Sequence, residues 1–292
     1  MAVDNDTYAQ LSIIIPVHVK TDSLSNLELS LKKTLGLSIQ LILVSDNNEK
    51  EIQENLLKLA NTYHAKVVQV DVRSPGRARN EGLKLAKTPW IAFWDSDDVG
   101  EPEPVLKAIK EAPENSKVII GNYKVQNMEN LSNSKESNHK NLNKIMINPG
   151  IWRFVFASEI VKENRFPDYR MGEDQVFLAR LNIKRESIHF VDQVFYTYFI
   201  GTASQLTANP DARGEALAAY FELDLLARNC SKVNFSTLIL KTRLLFTAFK
   251  YKKLDVFWFI KELLLLRAYD TRLRLRTYIA EMYTLYLVWR IR

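Results

Sequence analysis

Three carboxylates crowd into four positions at Asp95-Ser96-Asp97-Asp98, directly after the apolar run Ile91-Ala92-Phe93-Trp94. Ionised side by side, they repel one another unless water or a cation neutralises them. Hard oxygen donors of this kind suit Mg2+ or Mn2+, ions that in turn bind diphosphates. The same residues could equally form an acidic turn capping a helix that begins near Pro102, and the local sequence leaves both readings open. A second acidic pair, Glu173-Asp174, precedes an amphipathic run whose stripe is Phe177, Leu178 and Leu181. A helix dipole holds a first-turn carboxylate ionised, and an ionised carboxylate can act as a general base. Helix capping is the alternative use of that pair.

These groups need a scaffold, and the first hundred residues supply its pattern. Leu11–Val17, Gln40–Ser45, Lys66–Val70 and Trp90–Trp94 are short and rich in β-branched or aromatic residues. They are apolar on both faces, as buried parallel strands are. Leu24–Leu35, Lys50–Tyr63 and Arg77–Lys87 carry apolar residues at helical spacing between them. The alternation predicts an α/β fold with a Rossmann-like, mostly parallel sheet flanked by helices. Ligands of such sheets bind beyond the carboxyl ends of the strands. The residues found there are Pro16-Val17-His18, Asp46-Asn47-Asn48, Arg73 to Arg77 and the acidic turn. Pro-Val-His-Val-Lys stands where a dinucleotide-binding glycine fingerprint would be, and no P-loop sequence occurs, which excludes dehydrogenase and P-loop NTPase readings.

Five words occur in a fixed order: Ser12-Ile13-Ile14-Ile15-Pro16-Val17, Leu43-Val44-Ser45-Asp46, Gly76 to Gly82 (Gly-Arg-Ala-Arg-Asn-Glu-Gly), Trp94 to Asp98 and Gly172-Glu173-Asp174. In that order and spacing the chain resembles glycosyltransferase family 2 from about Leu11 to about Thr207. The resemblance implies a GT-A fold and an inverting, metal-dependent transfer from a nucleotide-diphosphate sugar, with a UDP-sugar favoured. It implies that Pro16 and His18 line the base and ribose pocket, that Asp46 binds the base, and that Arg79 and Asn80 sit beside the donor. By the same analogy Asp95 contacts ribose or donor sugar, and Asp97, with Asp95, holds Mn2+ or Mg2+, supported by Asp98. Asp174 takes the proton from the acceptor hydroxyl, Glu173 holds the acceptor or positions the base, and Arg180 offsets developing phosphate charge. The implied acceptor is a glycan or lipid-linked glycan of cell-surface polysaccharide synthesis. Many relatives carry Tyr at the position of His18 and an Asp-Gly-Ser type turn at Asp46-Asn47-Asn48, which leaves nucleotide identity open. A glycan-binding scaffold that has lost catalysis is the alternative from another class. A sugar-phosphate nucleotidylyltransferase is a third, and it expects a Gly-rich segment that is missing after the first strand.

Trp152 is placed either to stack on a sugar or to pack in the core. Ser132–Lys144 is polar and reads as an exposed loop, and Ile188–Phe199 reads as a strand followed by a candidate donor-closing loop at Thr202–Gln205. After Pro210 the texture becomes helical at Glu215–Arg228, Phe235–Lys250, Leu254–Ala268 and Arg272–Arg290, so a catalytic domain at 1–209 and a helical module at 210–292 are expected. At 47% hydrophobic and 25% charged residues, the chain of 292 is too apolar for disorder and should fold around a full core. One cysteine, Cys230, forms no internal disulfide and suits a reducing compartment. No signal peptide or membrane-spanning run is legible, which predicts a cytoplasmic enzyme. Residues 232–292 hold 13 Lys or Arg and 4 Asp or Glu, a net of +9 that leaves −3 for the remainder. With aromatics interleaved, that tail suits peripheral contact with an anionic membrane surface, or packing as a homo-oligomer. No nucleic-acid motif accompanies it.

Overall fold

The computed structural model describes residues 9–18, 24–46, 49–127, 134–137, 140–200, 215–229 and 235–252. Four strands run parallel in the order β3-β2-β1-β4, comprising β1 (Leu11–Val17), β2 (Ile39–Asp46), β3 (Lys66–Val70) and β4 (Trp90–Phe93). Their doubly apolar sequences reflect cover on both faces. Leu11, Ile13, Ile15, Leu41 and Leu43 share one core with Leu27 and Leu31 of α1 (Leu24–Lys32) and Leu56 and Ala60 of α2 (Lys50–Tyr63). The opposite face meets α3 (Pro75–Leu83), which comes so close that a Cβ at Gly82 would lie 2.4 Å from Ile14 Cγ2. A glycine is required there by packing. α3 starts two residues earlier than its apolar spacing indicates, because Ser74 Oγ accepts the Arg77 N–H and Pro75 suits the first turn.

The sheet continues as β4-β8-β6-β9-β5. It is built from β5 (Val99–Gly100), β6 (Val118–Asn127), β8 (Phe154–Ala157) and β9 (Ile188–Ile200), with α4 (Pro102–Glu111) packed on β6 and β9. Here directions mix: β8 is antiparallel to both β4 and β6, whereas β6 and β9 run parallel. The polar stretch expected to be loop contains an edge strand, β7 (Ser134–Ser137), antiparallel to β6, and a single helical turn, α5 (Leu142–Ile145). Ladder hydrogen bonds come from the main chain, so polar side chains do not forbid an edge strand.

Residue contacts divide the chain into two units. The first holds the entire sheet, with segments 150–166 and 183–200 returning to it, including α6 (Ser158–Lys162). The second contains 141–149 with α5, 167–182 with α7 (Glu173–Leu181), and the helices α8 (Ala216–Asn229) and α9 (Phe235–Lys252). Within it Gly172 precedes α7 at φ +87°, and a Cβ there would lie 2.8 Å from Ala219 Cβ, so conformation and packing both select glycine. Lys241 of α9 pairs with Asp224 of α8 in the interior, which removes one of the tail's cations from any solvent-facing basic surface. No helix among the described residues is long and apolar enough to cross a membrane. The helices expected at Leu254–Ala268 and Arg272–Arg290, Cys230, and the Thr202–Gln205 loop lie outside the described residues.

Candidate functional site

β1 is flanked by β2 on one side and β4 on the other, so chain order reverses direction at β1, the type of switch point where open α/β sheets bind ligands. The β1–β4 ladder ends at Ile14↔Phe93, with one further bond from Trp94 N–H to Ile14 C=O. Beyond it β1 continues through Pro16 to Val17 beside β2 only, while the chain after Trp94 leaves as the acidic turn. The turn therefore sits at the carboxyl edge of the sheet, next to the end of β1.

Burial gives this turn unusual electrostatics. The Asp97 carboxyl is pushed up to about 6, first by burial and then by the charge of Asp95. Asp98 is almost wholly buried and is pushed up to about 9 by burial, then by Asp97 and Asp95. Its Oδ1 accepts the Phe199 N–H at 2.7 Å, and its buried Oδ2 has no hydrogen-bond partner. Burial thus favours the neutral form of Asp98, which braces the turn through its bond to Phe199. Asp95 is bridged to the Arg79 guanidinium at 2.8 Å. Asp97, only half-buried, also has its charge disfavoured by burial and a like neighbour, a condition that a divalent cation relieves. The donor set fits such an ion. No three His, Cys, Asp or Glu converge as a closed cage among the described residues. The protein would give one or two oxygens and leave the other positions to water and a diphosphate, as Mg2+ sites commonly do.

The remaining donor-side residues are placed individually. Pro16 lies opposite Val44 at the end of β1. His18, one residue beyond the strand, is exposed, and its Nδ1 is 2.6 Å from the Asp46 carbonyl oxygen. Asp46 is buried, and its Oδ1 accepts the N–H groups of Val72 and Arg73 at 2.8 and 3.0 Å. Those bonds hold Arg73 at φ +52°, a left-handed conformation that a non-glycine residue adopts only when constrained. Arg79 is buried between its Asp95 partner and the Phe166 ring, 5.4 Å from the guanidinium carbon. Asn80 is clasped to the Phe166 main chain at both ends of its amide, each bond 2.9 Å. That amide is a structural clasp. Asn47 and Asn48 lie outside the described residues.

Glu173, Asp174 and Arg180 belong to the second unit. Glu173 is buried and Asp174 half-buried in the first turn of α7, where Asp174 Oδ1 accepts the Gln175 N–H at 2.8 Å. Arg180 is ion-paired with Glu222 of α8, whose other oxygen accepts the Tyr169 phenol at 2.7 Å.

Sequence reasoning overlooked what supports the turn. The Tyr196 Oη accepts the Asp95 N–H at 2.9 Å, Asn26 Nδ2 donates to the Asp97 carbonyl at 2.7 Å, and Ser30 Oγ donates to the Asp98 carbonyl at 3.2 Å. Tyr196 and Tyr198 alternate along β9 onto one face, which is the sequence signal that could have drawn attention to them. Between their rings lies Trp152, stacked on Tyr196 at 4.7 Å and 7° and on Tyr198 at 5.7 Å and 14°. Trp152 is buried in this stack, which decides for the packing role.

The sequence profile described as Glycosyl transferase family 2 matches residues 12–170, ending just short of Glu173 and Asp174. The poly(ribitol-phosphate) beta-glucosyltransferase of Bacillus spizizenii is 30% identical over 205 residues, covering 65% of this chain and 32% of its own length. The chain thus spans about a third of that relative. Residues 1–349 of Staphylococcus aureus TarS, solved with UDP-GlcNAc, share 18% identity at TM-score 0.66 over 94% of this chain and 89% of that one. The mannosyltransferase PcManGT of Pyrobaculum calidifontis, solved with GDP-Man and Mn2+, shares 11% identity at TM-score 0.57 over 96% and 88%. These likenesses establish a GT-A Rossmann-like fold.

Proposed function

The chain belongs to glycosyl transferase family 2, and from that premise we propose that it is an inverting, metal-dependent transferase moving a sugar from a nucleotide diphosphate to a hydroxyl of a cell-surface glycan or lipid-linked acceptor. The observation that carries the reading is the carboxylate turn at the switch point, with Asp97 half-buried beside Asp95. The nucleotides in the related structures, UDP-GlcNAc and GDP-Man, support a nucleotide-sugar donor, and the Mn2+ of one of them supports a metal. The Bacillus enzyme's name supports a polymeric, phosphate-containing acceptor and a UDP-sugar remains the favoured donor.

In this reading Pro16 and His18 border the nucleoside, and Asp46 offers the base the oxygen not engaged with residues 72–73. Arg79 fixes Asp95 toward ribose or sugar, and Asn80 holds the neighbouring wall through Phe166. A divalent ion held by Asp97 would stabilise the negative charge of the departing diphosphate. The acceptor oxygen bonds to the anomeric carbon as the bond from that carbon to the diphosphate oxygen breaks. Asp174 receives the hydroxyl proton, with Glu173 orienting the acceptor. Attack opposite the leaving group inverts the centre without a sugar-enzyme intermediate. Arg180 would have to leave Glu222 to meet phosphate, so its place here is secondary. Catalysis by residues 1–209, with residues 210–292 meeting an anionic membrane or a second copy, completes the proposal.

The test is turnover of UDP-sugars with and without Mn2+ in the wild type, Asp97→Asn and Asp174→Asn. Each substitution should lower the rate by about 10²-fold or more. Asp97→Asn should also abolish stimulation by Mn2+, and Asp174→Asn should leave nucleotide affinity intact. Binding of the sugar with rates indifferent to metal and to both substitutions would identify a glycan-binding scaffold instead.

A further inference from the structure

The acidic turn leaves the sheet after Trp94, and its main chain is held from two sides by side chains far away in sequence. From β9, the Tyr196 phenol accepts the Asp95 N–H at 2.9 Å. From α1, Asn26 donates to the Asp97 carbonyl at 2.7 Å, and Ser30 both donates to the Asp98 carbonyl at 3.2 Å and accepts the Gly100 N–H at 3.1 Å. We propose that Asn26, Ser30 and Tyr196 are positioning residues, two jaws of a clamp that fixes where the Asp97 carboxylate is presented to a divalent cation and its diphosphate. The inference rests on the metal-dependent transferase reading.

Three features carry it. The bonds to residues 95, 97, 98 and 100 end on main chain and Tyr196 lies beside the Asp98 carboxyl, so the clamp sets the turn's shape without an ion pair to the Asp97 carboxylate. The jaws are themselves immobilised. Tyr196 is fully buried and stacked on Trp152, whose edge contact with Tyr123 at 4.6 Å ties it to β6. Ser30 is buried on the inner side of α1, and Asn26 stands one turn earlier on the same helix. Besides the Ser30 bond to Gly100, the exit of the turn is secured by Val99↔Thr197 and Gly100↔Tyr196 pairing and by the Glu101 N–H bond to the Phe195 carbonyl at 2.9 Å. Loss of one jaw therefore loosens the carboxylates without releasing the strand that follows them. A ligand geometry for Mg2+ or Mn2+ tolerates little displacement, so looseness is felt as lost affinity.

Tyr196→Phe and Asn26→Ala each remove one main-chain contact and Ser30→Ala removes two, and Tyr196→Phe keeps the ring stack. The probe is UDP, titrated calorimetrically into the full chain with saturating Mn2+ and again in EDTA, alongside urea unfolding. Each folded variant should bind UDP about tenfold more weakly with Mn2+, the worth of one good hydrogen bond, while metal-free affinity stays within about twofold. A merely structural role would lower the urea midpoint and move both affinities alike. Folded variants that bind like the wild type, variants that lose both affinities by one factor, or failure of all three to fold would overturn the inference. Wild type that binds UDP without any response to Mn2+ would overturn the transferase reading and this inference with it.

Discussion

In the proposed reaction, metal capture at Asp97 should depend on pH in a range where an ordinary aspartate is silent. Its carboxyl is pushed up to about 6 by burial and by Asp95, against an ordinary 3.8. A cation needs the ionised form, so binding must displace a proton wherever Asp97 still carries one. With a value of about 6, roughly 9% of the protein is ionised at about pH 5 and roughly 91% at about pH 7. Apparent affinity for Mn2+ should therefore rise about tenfold between those limits, whereas an unperturbed aspartate, already more than about 90% ionised at pH 5, would change it by under about 10%. The assay is calorimetric titration of Mn2+ in the presence of UDP-glucose, whose diphosphate is a diester and does not titrate in this range. Asp97→Asn should capture Mn2+ weakly at every pH, without the roughly tenfold rise. An affinity flat between pH 5 and 7, or a slope shared by Asp97→Asn, would refute the assignment of Asp97 as the metal ligand.

Two further outcomes follow from buried positions elsewhere. Gly172→Ala should destabilise the protein by on the order of 2 kcal/mol in urea unfolding, because φ +87° and the nearby Ala219 both oppose a Cβ; an unchanged midpoint would contradict that packing. In metal-free buffer, wild type should lose stability as pH rises from about 4 to about 9, since the unfolded chain releases the Asp98 proton while the folded chain retains it. Asp98→Asn imitates the neutral acid, so its midpoint should exceed that of wild type at pH 8 and converge with it near pH 4. Parallel curves for the two proteins would show that Asp98 does not hold its proton.

The parallel half of the sheet was legible because its strands are buried on both faces, and continuous β-branched runs such as Ile13-Ile14-Ile15 have few other uses. β8 was not legible: Phe154–Ala157 is four residues long and has meaning only between β4 and β6. β7 was misread as loop because its polarity is that of a sheet edge. At the site, residue type and spacing located the acidic turn but not its partners. Arg79 finds Asp95 only because α3 returns beneath β1 and β4 lies beside it. Asn80, expected beside the donor, gives its amide to Phe166, and Asp46 gives an oxygen to the strained Arg73. Such pairings join residues 16 to 101 positions apart and depend on register, which no local pattern encodes. The tail's basicity was legible as a sum, yet Lys241 turns inward to Asp224 because one side of its helix is core.

In the proposed reaction Asp97 and Asp174 serve one sugar. A crystal structure with Mn2+ and an intact UDP-sugar, recorded with anomalous data at the manganese edge, tests it most directly. An anomalous peak is expected at coordinating distance from an Asp97 oxygen, with the anomeric carbon presenting its opposite face toward the Asp174 carboxylate. A nucleotide seated with no peak beside Asp97, or a sugar whose open face is turned away from Asp174, would contradict it.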